Sequence, residues 1–151
     1  VNRAQQFVLA QFALFALFGI GFILLPFTLG GDLRWMGGVL IVIGGVILAL
    51  AIYEHNVRNQ ALPNIEPTPN QKVALIDSGL YSQIRHPIYT AVLTVAFGIA
   101  LFHGHIALLA LACGMVIFFT YKSMYEETLL TQAYSKYEEY VKHTGRFLPF
   151  L

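Results

Sequence analysis

The chain has 151 residues, 57% hydrophobic and only 11% charged, with a formal net charge of +1 and a mean hydropathy of +0.65. A soluble domain carries about 25% charged residues, so this composition cannot cover a water-facing surface and points to an integral membrane protein. The near-neutral charge, without a basic patch interleaved with aromatics, argues against a nucleic-acid partner. Cys113, the single cysteine, lies in an apolar run, which excludes an internal disulfide and a cysteine-based metal cluster.

Phe7 to Leu25 is an apolar run of 19 residues interrupted only by Gln11, long enough to span a bilayer at 1.5 Å per residue. It is long for a signal-peptide core and lacks a small-residue cleavage site, so it reads as a retained span. Pro26 ends it, and a turn over Thr28 to Arg34 leads to Trp35, an interfacial aromatic. The second run, Met36 to Ile52, carries Gly37, Gly38, Gly44 and Gly45. Glycine pairs seven residues apart recur on one helix face and let a neighbouring backbone approach.

Tyr53 to His86 is the long polar segment. Pro63, Pro67 and Pro69, with Asn64, Thr68 and Asn70, predict an irregular or extended loop there. Such a loop is functional or disordered. Because it runs directly into Arg85-His86-Pro87, a functional loop is expected. Proline suits the first position of a helix, so Arg85 and His86 stand at a helix N-terminus, where unpaired N–H groups and the helix dipole favour an anionic group. The plainer alternative is a basic membrane anchor beside a helix cap.

Ile88 to Phe102 and Ile106 to Phe119 are apolar runs of 15 and 14 residues, joined by His103-Gly104-His105. Each is shorter than the roughly 20 residues of a perpendicular span, which predicts a tight helical hairpin with a polar turn at the far face. Two histidines without a further ligand do not make a metal site, and no metal is expected. After Lys122 the pattern changes: Leu130, Tyr134, Tyr137 and Val141 fall on one face of an amphipathic helix. Glu126 and Glu127 sit where it joins the last span, a costly place for adjacent carboxylates without a cationic partner.

The expected fold is therefore all-α and polytopic: about four transmembrane helices, the last two a short hairpin, plus a C-terminal amphipathic helix. One domain covers 1–151, with two spans in 1–53, a cytoplasmic loop over 54–86, the hairpin over 87–123 and a cytoplasmic helix and tail over 124–151. If four runs cross, Arg3, Arg58, Lys72, Arg85, Lys122, Lys136, Lys142 and Arg146 share one side and Arg34 stands alone on the other. The positive-inside rule then makes both termini and the loop cytoplasmic. Arg85, His86, Glu126 and Glu127 gather at one cytoplasmic-facing level.

Leu75-Ile-Asp-Ser-Gly-Leu-Tyr-Ser-Gln-Ile-Arg-His-Pro-Ile-Tyr89 resembles the Gly-x-Tyr-x-x-x-Arg-His-Pro-x-Tyr signature of the isoprenylcysteine carboxyl methyltransferase and phospholipid methyltransferase superfamily. Glu126-Glu127, Tyr137-x-x-Tyr140 and Arg146-Phe147-Leu148-Pro149 are similar to that superfamily's C-terminal pattern, and Ala133-Tyr134 stand where it has Phe-Gly. The resemblance covers about half the chain, from Leu75 to Phe150. It implies an S-adenosyl-L-methionine-dependent membrane methyltransferase. Its acceptor would be a lipophilic small molecule or a lipidated chain drawn from membrane lipid, carrying a prenylcysteine-like carboxylate or a lipid amine. It further implies cofactor contact through Leu75, Gly79, Tyr81, Arg85, His86, Pro87, Tyr89, Glu126 and Glu127, with Arg85 and Glu127 catalytic.

The physical chemistry is compatible. The methionine end of the cofactor is a zwitterion: Arg85, His86 and the helix start would meet its carboxylate, and Glu126 or Glu127 its ammonium. Adenine would rest on Tyr81 or Tyr89, and Glu127 or His86 would take the proton of an amine acceptor. There is no glycine-rich dinucleotide fingerprint of the soluble kind. Two alternatives remain: an NAD(P)H-dependent membrane reductase of related architecture, and a non-catalytic membrane scaffold or adaptor.

Overall fold

A computed structural model of the chain describes residues 2–28, 31–60, 62–66 and 74–149. These residues form α1 (Arg3–Leu24), α2 (Asp32–Asn59), α3 (Pro87–His103), α4 (Ile106–Ala133) and α5 (Tyr137–His143), with a 3-10 turn at Gly79–Ser82. Among them extended pairing is limited to one isolated bridge, Ile84 to Gly145, and the expected all-α membrane architecture holds. Helices α1, α2 and α4 are long and apolar enough to cross a membrane, and α3 is a shorter apolar helix. Their outward faces carry bare Leu9, Ile23, Val42 and Ile117, the inverse of a soluble surface and suited to lipid.

Local chemistry fixes the helix ends. Asn2 and Gln5 form a reciprocal capping box at the start of α1, which satisfies two otherwise unpaired N–H groups. Helix α2 does not stop at Ile52 but runs two turns further, to Asn59. Tyr53 to Asn59 holds neither proline nor glycine, so nothing breaks the ladder until Gln60 adopts a left-handed conformation at φ 50°. The irregular loop therefore starts later than the polar composition suggested. Pro67, Thr68, Pro69, Asn70 and Lys72 lie outside the described residues.

The C-terminal pattern differs too. Helix α4 continues unbroken through Lys122, Glu126 and Glu127 to Ala133, and the chain then extends at Tyr134 before α5 begins. The face expected from Leu130 to Val141 is thus split between two helices. The break falls at Ala133-Tyr134, where Tyr134 takes φ −127° and ψ 113°, a conformation open to any residue and needing no glycine.

Packing is sequential: α2 lies on α3, α3 on α4, and α4 on α1. Gly37, Gly44 and Gly98 bring α2 and α3 into backbone contact. A side-chain carbon at Gly37 would collide with the backbone of Gly98 and Phe102, and one at Gly44 would meet Val95 and the Ala91 carbonyl. Gly38 and Gly45 face open space instead, so only one of the two glycine columns serves this packing. Phe18, Leu93, Leu108, Met115 and Phe119 form the core around α3 and α4.

At the α3–α4 turn, Gly104 supplies the left-handed cap and His105 accepts the Ala107 N–H through its ring. His103 is not part of an open polar turn. It is fully buried, stacked on Phe27 at 4.1 Å and 5.4 Å from Phe22. Thr28 ties the α1–α2 connection there, donating its N–H to the His103 carbonyl at 3.2 Å and its hydroxyl to Gly104 at 2.7 Å.

That latch aligns α2, α3 and α4 at one end. Because α2 and α4 have 28 residues and α3 only 17, both overhang α3 at the other end, by up to about 16 Å at 1.5 Å per residue. The overhangs wall a space directly above the α3 N-terminus.

Candidate active site

His86 is the N-cap of α3 and Pro87 its first residue. The two residues before Pro87 are pulled into extended pairing by the C-terminal tail. Arg85 N–H donates to the Gly145 carbonyl at 2.8 Å, Gly145 N–H to Gln83 at 2.9 Å, and His86 N–H to Arg146 at 3.1 Å. The Thr90 hydroxyl adds a bond to the Phe147 carbonyl at 2.7 Å. Two segments some sixty residues apart therefore fold as one unit, and each charged group below has its backbone held.

Glu127 is the centre of the charge network. Its Oε1 accepts from Arg85 Nε at 2.9 Å and Arg146 Nε at 3.2 Å and faces His86 Nε2 at 3.1 Å; its Oε2 accepts from Arg146 Nη2 at 2.8 Å. Arg85 Nη1 also donates to the Thr144 and Val141 carbonyls. Three nitrogen-bearing side chains on one carboxylate answer the cost of placing a charge at this depth.

Glu126 faces the other way. Its Oε2 accepts the Tyr89 hydroxyl at 2.9 Å and lies 3.6 Å from His86 Nδ1. His86 thus stands between the two carboxylates, its ring stacked on Tyr89 at 5.2 Å and nearly parallel to it. Tyr89 also packs on Phe119.

These groups border a cavity of about 270 Å³, near the lower end of small-molecule pockets at roughly 300 Å³. Its walls come from the overhang of α2 (His55, Asn59), the strap Leu62–Glu66, the segment Ala74–Ile76, the α3 start, the α4 overhang and Tyr134, Tyr137 and Tyr140. Of the residues the sequence singled out, Leu75, Tyr81, Arg85, His86, Pro87, Tyr89 and Glu126 line it; Gly79 and Glu127 are not among its lining residues.

Gly79 instead shapes the wall. It takes φ 61°, and a side chain there would run into the Glu54 carboxylate, which accepts the Leu80 N–H through both oxygens at 2.9 and 3.1 Å. The turn is further held by Tyr140, whose hydroxyl donates to the Tyr81 carbonyl at 2.5 Å. Burial, more than the neighbouring carboxylates, pushes the Tyr81 and Tyr137 phenols above their ordinary range. Burial does the same for Tyr140 against the opposing pull of Arg85, which keeps all three phenols protonated.

The sequence reading missed Glu54, His55 and Asn59, because they were assigned to a loop rather than to the end of α2. A carboxylate two residues past an unbroken apolar run was the available signal. Among the described residues no group of three or more His, Cys, Asp or Glu is placed to hold a metal.

A family model described as phospholipid methyltransferase matches residues 33–137. No curated protein matches the chain. Among solved structures the chain is similar to the eukaryotic intramembrane Ras methyltransferase ICMT (isoprenylcysteine carboxyl methyltransferase), with a TM-score of 0.70 and 20% identity over 99% of this chain and 54% of that one. The chain spans about half the length of that protein, and likeness at this identity is a likeness of fold.

Proposed function

The chain belongs to the phospholipid methyltransferase family, and from that membership we propose that it catalyses methyl transfer from S-adenosyl-L-methionine to a lipophilic acceptor, a prenylcysteine-like carboxylate or a lipid amine. The observation that carries the reading is the pairing of opposite charges across one cavity. Arg85 makes its bonds through Nε and Nη1, and among the described residues no hydrogen bond uses Nη2. Glu126 has only its Oε2 engaged by Tyr89. Both residues line the cavity, so a cationic donor and an anionic acceptor are available to a zwitterionic ligand.

When bound, the cofactor supplies a methyl group on a positively charged sulfur. The protein's part is to hold and orient. Arg85, with the α3 N-terminus behind it, would take the ligand carboxylate, and Glu126 its ammonium. Tyr81 is the aromatic candidate for adenine, since His86 and Phe119 already pack on the Tyr89 ring. Glu127, tied to Arg85, Arg146 and His86, acts as a positioning residue that keeps Arg85 and His86 aimed. The charge distribution supports a cytoplasmic site: Arg3, Arg58, Arg85, Lys136, Lys142 and Arg146 lie at the cavity end and Arg34 at the other.

The test is calorimetry on detergent-purified protein with adenosylmethionine and with adenosine, which lacks the amino-acid end. Loss of a charge-assisted bond of about 1.5–3 kcal/mol in Glu126→Gln should weaken adenosylmethionine tenfold or more and leave adenosine nearly unchanged. Equal affinity of wild type and variant for adenosylmethionine, or no binding by the wild type, would overturn the reading.

A further inference from the structure

Gln11 is the one polar interruption of the first apolar run, and Lys122 is an ammonium just past the last one, within α4. The two meet: Lys122 Nζ donates to Gln11 Oε1 at 2.5 Å. The same nitrogen donates to the Ile65 carbonyl at 3.0 Å and lies over the Tyr89 ring at 5.3 Å. Lys122 is 1% exposed and does not line the cavity. A buried ammonium at membrane depth is costly and persists where partners and function hold it.

We infer that Lys122 and Gln11 form a latch that holds the Leu62–Glu66 strap across the cavity, making both positioning residues for ligand binding. The strap supplies one wall of the cavity, and its shape comes from the Asn64 side chain accepting the Glu66 N–H at 3.2 Å. The strap comes from the α2 end and reaches the α1–α4 seam, where the tie at Ile65 crosses to the bundle. Lys122 joins three things at that point: the strap, the first helix, and Tyr89, which donates to Glu126. Helix α1 ends before residue 33, where the family match begins. It is therefore part of the pocket's support as well as a membrane span.

The inference rests on the methyltransferase reading only for its ligand. The strap itself is tested on ligand-free, full-length protein in nanodiscs by hydrogen exchange of the Ile65 and Glu66 amides. In Gln11→Leu and in Lys122→Met, that exchange should rise about tenfold, the loss set by one charge-assisted bond, while α3 stays protected. Adenosylmethionine KM should rise by a similar factor with kcat within about twofold. Gln11→Glu, which keeps an acceptor for the ammonium, should restore both. If Lys122→Met does not fold, the Gln11 pair carries the test. Unchanged strap exchange in a Gln11→Leu protein that melts like wild type would overturn the latch, as would a rise spread evenly over all helices. Because exchange is read without ligand, failure of adenosylmethionine to bind counts against the cofactor reading and not against the latch.

Discussion

Arg85 Nε lies 2.9 Å from Glu127 Oε1 across 42 residues of sequence, with both side chains nearly dry at 10% and 13% exposed. The pair joins the start of α3 to the overhang of α4, and Arg146 joins the tail to the same carboxylate. Glu126, one residue earlier, lies at the cavity. Adjacent carboxylates thus divide between holding the site together and facing what enters it.

The division is measurable. Glu127→Ala leaves Arg85, Arg146 and His86 without their counter-charge, and removing one partner of a buried ion pair costs about 3–5 kcal/mol. Thermal unfolding should show a large fall in midpoint for Glu127→Ala and a small one for Glu126→Gln. Equal falls would mean that the two carboxylates share one role.

The two glycine columns of α2 should respond oppositely to the same change. Gly44→Ala places a methyl against Val95 and the Ala91 carbonyl, an overpacking cost of roughly 1–3 kcal/mol. Gly45→Ala meets open space and should gain up to about 1 kcal/mol from helix propensity. Paired melting curves in one detergent decide it.

Gly79→Ala should fail through Glu54. The left-handed backbone alone costs about 1–2 kcal/mol for a side chain, and the new methyl would push the carboxylate off Leu80 N–H. In a Glu54→Ala background the added cost should shrink, a coupling of order 0.5–3 kcal/mol in a double-mutant cycle. Strict additivity would show that Glu54 is incidental to the turn.

Orientation is open to cysteine labelling. Cys113 is exposed on the bundle, so the background is Cys113→Ser. Asn64→Cys and Lys142→Cys should label from the cytoplasmic side and Arg34→Cys from the other. Labelling of Asn64→Cys and Lys142→Cys from opposite sides would rule out the proposed topology.

Much of the fold was legible because lipid imposes a simple rule: long apolar runs cross, and Pro26 and Gly104 mark where they stop. The helix start at Pro87 followed from one residue's geometry. What stayed hidden depends on polar helix surface. Tyr53 to Asn59 is helical because nothing interrupts it, yet its composition resembles loop; Met124 to Ala133 continues the last span instead of opening the separate amphipathic helix its pattern suggested. The division between Glu126 and Glu127 was equally hidden, since it needs the tail folded back beside Arg85. Gln11 stood out as an exception in its run, but its partner could be found only in three dimensions.

The shortness of α3 has a bearing on the membrane itself. Its 17 residues reach about 25 Å, against a hydrocarbon core of about 30 Å. Lipid beside it must thin or the helix must sink, at a cost of fractions of a kcal/mol per Å of mismatch. Either adjustment would bring the headgroup layer toward the depth of the α3 N-terminus, at the floor of the cavity. Acyl-chain length in the surrounding membrane thereby becomes a variable that acts on this cavity from outside the protein.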